Sequence, residues 1–266
     1  MIADPGAARP AALAAFADVA AALGPRPAVF LDYDGTLTPI VSRPELAVLA
    51  PAMRAAVQRL AALCPVAVVS GRDLDDVRAR VGLPGLVYAG SHGFDIAGPG
   101  LRHRVGEEWR PALAAAAAAL EPALAGVGGV LVESKGFAIA VHTRQVAPAD
   151  KPAVAAAVRR AAADAALRVT GGKEIAEIRP PVPWDKGRAV RHLLEVGGLD
   201  GAVPLFVGDD DTDEDGFRAV AALAGAGIRV GDAGAATAAR WVLPDPAAVG
   251  VFLERLAAWL ETARHP

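Results

Sequence analysis

The feature that most constrains this chain is a unit repeated along it. A short, unbroken apolar run ends abruptly in acid, serine or glycine, and a helix-length segment follows. The runs are AVFLD at 28–32, PVAVV at 65–69, LVYAG at 86–90 and VPLFV at 203–207. Apolar runs of this length without alternation are strands buried on both faces, the signature of a parallel sheet covered by helices. The intervening segments fit that role. PAALAAFADVAAAL at 10–23 and PAMRAAVQRLAAL at 51–63 each open on a proline suited to a first helical turn, and the former sets Leu13, Phe16, Ala20 and Leu23 on one face. Asp73 is placed to cap a helix over 74–81. Further helices are expected at 185–196, 214–223 and 246–263, with short strands at 227–230 and 241–243.

Between 103 and 180 the pattern changes. An Ala-rich helix at 109–124 precedes two alternating segments, 129–134 and 136–144. A second Ala-rich helix at 151–166 leads into RVTGGKEIAEIRP, again with period two. Strand, strand, helix, strand in this order reads as a small antiparallel sheet with helices on one face. The expected architecture is therefore α/β: a Rossmann-like, doubly wound parallel-sheet core formed by 1–102 and 181–266, interrupted by an inserted α+β cap domain at 103–180.

Composition narrows the function. Lys and Arg number 27 against 30 Asp and Glu, a net charge of −3, so there is no basic excess with which to neutralise nucleic-acid phosphates. The single Cys64 excludes a disulfide framework and a cysteine-based zinc site. No uncharged run reaches the roughly 20 residues that span a bilayer, and the N-terminal segment lacks the basic start and apolar centre of a secretion signal. A cytoplasmic, monomeric protein acting on a small molecule is the expectation.

The chemistry sits where the apolar runs stop. Asp32 and Asp34 in DYDGT are two residues apart at a strand end, so their carboxylates can share one side of the chain. Two adjacent carboxylates repel unless a cation or a proton offsets them, and Mg2+ suits an all-oxygen site. Ser70-Gly71-Arg72 can cradle phosphate oxygens with a hydroxyl and open N–H groups. Lys186 at a helix start opposes the helix dipole, which points to another use for its charge. GDDDTDE at 208–214 packs five acids into six residues; Asp209 is the preferred metal ligand, with Asp210 and Asp213 as alternatives or supports. Asp211 has no assigned role.

DYDGT, Ser70, Lys186 and GDDDTDE, in this order, resemble the four motifs of haloacid dehalogenase-like phosphatases. The resemblance implies that Asp32 is the nucleophile, that Asp34 is the general acid and base, that Ser70 and Lys186 hold the phosphoryl group, and that Asp32, Asp34 and Asp209 bind Mg2+. The longer strings VVSGR, GSHGFDI, ESKGFAIAVHTR, GGKEIAEIRP and WDKGRAV are similar to those of trehalose-6-phosphate phosphatases. That likeness implies sugar recognition by cap residues Glu133, Lys135, Arg144, Lys173 and Glu177; Gly71 and Arg72 are expected at the substrate's phosphate, and His92 either touches the substrate or caps its loop. Phosphatases of other sugar phosphates, a phosphomutase and a catalytically silent regulatory domain are the competing expectations.

Overall fold

The structure, a computed structural model, describes residues 9–264 except 173, 233 and 235. In chain order its elements are α1 (Phe16–Leu23), β1 (Pro27–Leu31), α2 (Pro51–Ala61), β2 (Val66–Val69), α3 (Leu74–Val81), β3 (Val87–Gly90), β4 (Asp95–Gly98), β5 (Leu101–Arg104), α4 (Arg110–Leu124), β6 (Leu131–Lys135) and β7 (Ala138–His142). There follow α5 (Lys151–Asp164), β8 (Arg168–Gly172), β9 (Ile175–Arg179), α6 (Lys186–Val196), β10 (Val203–Gly208), α7 (Asp213–Ala222), β11 (Ala226–Val230), β12 (Trp241–Leu243) and α8 (Pro246–Arg264). The chain divides into two compact units, one running to Arg102 and resuming at Trp184, the other spanning His103–Pro183.

The first unit is built on a sheet of order β12-β11-β10-β1-β2-β3-β4-β5. The six strands from β12 to β3 are parallel, and β4 runs antiparallel to β3. Alternation within each strand feeds two separate cores. Val29, Leu31, Val66, Val68, Leu205 and Val207 pack with α1, α2, α3 and α8. Phe30, Ala67, Val69 and Phe206 point the other way, against α6 and α7. This is the doubly wound arrangement expected from the apolar runs. Its strand order reverses between β1 and β10, so the crevice at a topological switch point opens at the carboxyl end of β1.

Two local expectations change. The helix placed at 10–23 starts at Phe16. Residues 10–12 instead bridge to β12, with Ala12 N donating to Val242 O (2.8 Å) and Val242 N to Pro10 O (3.1 Å). The strands β4 and β5 are not expected from sequence, because LRHR offers no apolar alternation. The capping reading of Asp73 holds: its carboxylate accepts from Asp75 N at 3.0 Å.

The second unit is an antiparallel sheet of order β6-β7-β9-β8. Ile139, Val141 and Ile178 face α4 and α5 and form its core with Leu113, Leu120 and Val158. Among the described residues no helix is long and apolar enough to cross a membrane.

Candidate active site

Asp32 follows β1 directly, and its N–H donates to Val207 O of the neighbouring β10 at 2.9 Å. Its carboxylate is buried, 4 % exposed. Lys186, the first residue of α6 and 2 % exposed, places Nζ 2.7 Å from Asp32 Oδ1 and 2.6 Å from Asp213 Oδ1. Those two carboxylates offset the unfavourable position of a cation at a helix start. Asp213 is fully buried in the first turn of α7, and its Oδ2 accepts from the N–H groups of Asp209 (2.9 Å) and Asp210 (3.1 Å). It thus shapes the loop that carries Asp209.

The loops after β1 and β10 interlock. Gly35 has φ +81°, and a Cβ there would lie 2.1 Å from Asp209 Oδ2, so only glycine allows this approach. Thr36 Oγ1 donates to Asp209 Oδ1 at 3.2 Å. As a result Asp32, Asp209 and Asp213 each offer an oxygen within 4.8 Å of the others'. Three carboxylates stand against one ammonium here. Burial, opposed by Lys186 and reinforced by Asp209 and Asp210, pushes Asp32 up to about 8. Burial, with Asp213 and Asp210 adding, pushes Asp209 up to about 7. Asp213 is also raised, chiefly by burial. Burial thus raises all three carboxyls, a charge load that a cation would relieve, and the donors are all hard oxygens of the kind Mg2+ takes.

Asp34 belongs to a different contact. Arg72 grips it with both edges of the guanidinium, Nε to Oδ2 at 2.6 Å and Nη2 to Oδ1 at 2.7 Å. Arg72 also donates to Asp76 Oδ2 (2.8 Å) and Pro44 O (2.9 Å), and it lies over the Tyr33 ring. So the carboxylate trio consists of Asp32, Asp209 and Asp213, with Asp34 held beside it by Arg72, and Arg72 spends its donors on protein groups. Bidentate pairing is the strong mode for a guanidinium and a carboxylate, which explains the preference.

Ser70 is 1 % exposed and accepts at Oγ from Arg72 N (3.1 Å). His92 sits in the turn after β3 with φ +58°. Its N–H donates to Ser70 O (2.8 Å), and its imidazole covers Gly71, where a Cβ would lie 2.8 Å from Cε1. Trp184 Nε1 donates to Gly93 O at 2.8 Å, tying the same turn to the segment before α6. Ser70, Gly71, Arg72 and His92 are thereby linked through backbone and ring contacts within the first unit.

In the second unit the register sorts side chains by face. Glu133 pairs with Ala140 and Ala140 with Glu177; Leu131 pairs with His142 and His142 with Ile175. Thr170 pairs with Glu177, and Arg168 with Arg179. Glu133, Lys135, His142, Glu177, Arg179 and Arg168 therefore share the face opposite the apolar core. Lys135 Nζ lies 3.9 Å from Glu133 and 3.7 Å from Glu177, and His142 Nε2 is 3.2 Å from Glu133 Oε2. Arg179 donates to Glu177. Arg144 stands apart, exposed in the turn after β7, where its charge acts on Glu174. Lys173 lies outside the described residues. His142 and Arg179 were missed from sequence, although Arg179 is the i+2 neighbour of Glu177 in an alternating strand. Thr36 was missed too; it closes the DYDGT string.

This fold and its acidic strand ends define the class. A haloacid dehalogenase-like hydrolase from Bacteroides thetaiotaomicron superposes with a TM-score of 0.59 at 15% identity, over 90% of this chain and 99% of that one. The core, with an inserted antiparallel unit, has the haloacid dehalogenase-like fold. The family profile described as Trehalose-phosphatase matches residues 30–246, and the chain belongs to that family. A trehalose-phosphate phosphatase of Mycobacterium tuberculosis is 48% identical over 247 residues, which cover 90% of this chain. The chain spans 63% of the length of that relative. The C-terminal domain of Candida albicans trehalose-6-phosphate phosphatase superposes with a TM-score of 0.77 at 22% identity, covering 94% and 98% of the two chains.

Proposed function

We propose that the protein hydrolyses trehalose 6-phosphate to trehalose and phosphate, with Mg2+, through a phosphorylated aspartate. The observation that carries this reading is the buried Asp32–Lys186 contact at the switch point, joined to membership of the trehalose-phosphatase family.

Asp32 attacks phosphorus, and the bond from phosphorus to the sugar oxygen breaks. Asp34, entering the step protonated and turned out of its Arg72 pairing, gives the departing oxygen that proton, leaving trehalose and an aspartyl-phosphate. In the second half Asp34 takes a proton from water, which attacks phosphorus and frees Asp32. Lys186 and the Ser70 hydroxyl hold phosphoryl oxygens, and the N–H groups around Gly71 add neutral donors. Asp32 and Asp209, with Asp213 behind them, would hold the metal. Mg2+ supplies charge compensation for the phosphoryl oxygens.

Glu133, Lys135 and Glu177 take the sugar end. Carboxylates accept from hydroxyl pairs and the ammonium donates, which suits a ligand rich in hydroxyls and poor in apolar faces. A silent regulatory domain would have no use for a buried ammonium held by two carboxylates beside a third. The experiment is phosphate release from trehalose 6-phosphate by wild type and Asp32→Asn, with Mg2+ and after exhaustive chelation. Wild type with Mg2+ is expected to be active and the other three conditions inactive; turnover by Asp32→Asn would overturn the nucleophile assignment.

A further inference from the structure

We infer that Arg179 is a positioning residue for sugar recognition, acting through Glu177; this rests on the reading of the Glu133–Lys135–Glu177 cluster given above. The two residues are i and i+2 on β9, so their side chains stand on the same face of the sheet. Arg179 Nε donates to Glu177 Oε2 at 3.0 Å, and Nη2 reaches the same oxygen. Both residues are buried, Glu177 8 % and Arg179 7 % exposed. One carboxylate oxygen is thus fixed from along the strand, while Lys135 approaches the other, Oε1, from β6 at 3.7 Å. A carboxylate restrained on two sides is held in orientation, and that orientation sets which hydroxyls it can accept from.

A second observation points the same way. The register sets Arg168 directly opposite Arg179. Like charges directly opposite across a ladder are unfavourable, so an arginine at 179 breaks a local rule of sheet pairing. Violations of that kind are characteristic of sites kept for function. The planar guanidinium also explains why arginine stands there: it grips one oxygen with two donors and keeps its charge when buried, as lysine does not.

The test is a double-mutant cycle in the full chain. kcat/KM is measured on trehalose 6-phosphate and on p-nitrophenyl phosphate for Glu177→Gln, Arg179→Ala and the double variant, with Arg179→Lys alongside. Arg179→Ala should lower the ratio of the two substrates' kcat/KM about 10- to 150-fold, the range for a charged hydrogen bond. The double variant should be no worse than Glu177→Gln alone, and Arg179→Lys should restore part of the ratio. Losses that multiply in the double variant, or an unchanged ratio in Arg179→Ala, would overturn the inference while leaving the cluster's role intact. An unchanged ratio in Glu177→Gln would instead sink the sugar-site reading itself, and the inference with it. If Arg179→Ala loses both activities and its melting transition, the same cycle is run with Arg179→Lys, and multiplying losses there overturn the inference equally.

Discussion

The Lys186 ammonium lies 2.7 Å from Oδ1 of Asp32, although 154 positions separate the two in the chain. Both are buried, and the same Nζ bonds Asp213. The contact joins the end of β1 to the start of α6 and sets a single positive charge against the three carboxylates of the Asp32–Asp209–Asp213 trio.

Removing that cation should cost both stability and chemistry. Stripping one partner from a buried ion pair destabilises by about 3–5 kcal/mol, because the remaining charges lose compensation. Lys186→Met should therefore shift denaturant unfolding by that amount and abolish turnover, and Mg2+ should recover part of the stability but not the activity. A variant as stable as wild type would show that the carboxylates do not depend on Lys186.

The raised carboxylates make metal binding pH-dependent. Asp32, pushed up to about 8, and Asp209, pushed up to about 7, keep their protons in the metal-free fold at pH values where the unfolded chain has lost them. The fold then binds more protons than the unfolded chain, so their contribution to stability is present in acid and falls as pH rises from about 4 towards 8. A cation replaces those protons. The rise in melting temperature on adding Mg2+ should accordingly grow between pH 6 and pH 8.5, with protons released on binding. A Mg2+ shift that is flat or shrinks over this range would contradict the charge balance described for the trio.

Gly35 sets the distance between two loops. Gly35→Ala places a methyl on the Asp209 carboxylate and a side chain at φ +81°. A strained backbone position costs of order 1–3 kcal/mol. Mg2+ affinity, read by isothermal titration, should fall at least tenfold, with a smaller loss of melting temperature. Unchanged affinity would mean that Asp209 takes no part in the metal site.

These residues explain which parts of the site were legible beforehand. Strand ends were readable because AVFLD and VPLFV are apolar without interruption until the acid, and a buried parallel strand has no other way to look. The α/β class followed from the same runs. Pairings across the chain carry no such periodicity: nothing local says that Arg72 will grip Asp34, or that Asp213, which can pass for a helix cap, will be the fully buried partner of Lys186. The start of α1 was misplaced for a related reason. Pro10–Ala12 has helical composition, and its hydrogen bonds to β12 hold it out of the helix.

Glu133 tests the sugar site apart from the phosphate site. A charged hydrogen bond is worth about 1.5–3 kcal/mol, or about 10- to 150-fold in rate. Glu133→Ala should reduce kcat/KM on trehalose 6-phosphate within that range, in kcat as well as KM, because remote binding energy is used at the reacting centre. The drop on p-nitrophenyl phosphate, which has no sugar, should be far smaller. Equal losses on the two substrates would assign Glu133 to the fold of the second unit.

The central claim is that trehalose 6-phosphate transfers its phosphoryl group to Asp32. Acid-quenched single turnovers with Mg2+, analysed by peptide mass spectrometry, measure this directly. A phosphoryl adduct on the peptide carrying Asp32 should form together with free trehalose and decay as inorganic phosphate appears, and neither should form in Asp32→Asn. Trehalose released without any adduct at Asp32, or no release from this substrate while another sugar phosphate is cleaved, would contradict the account.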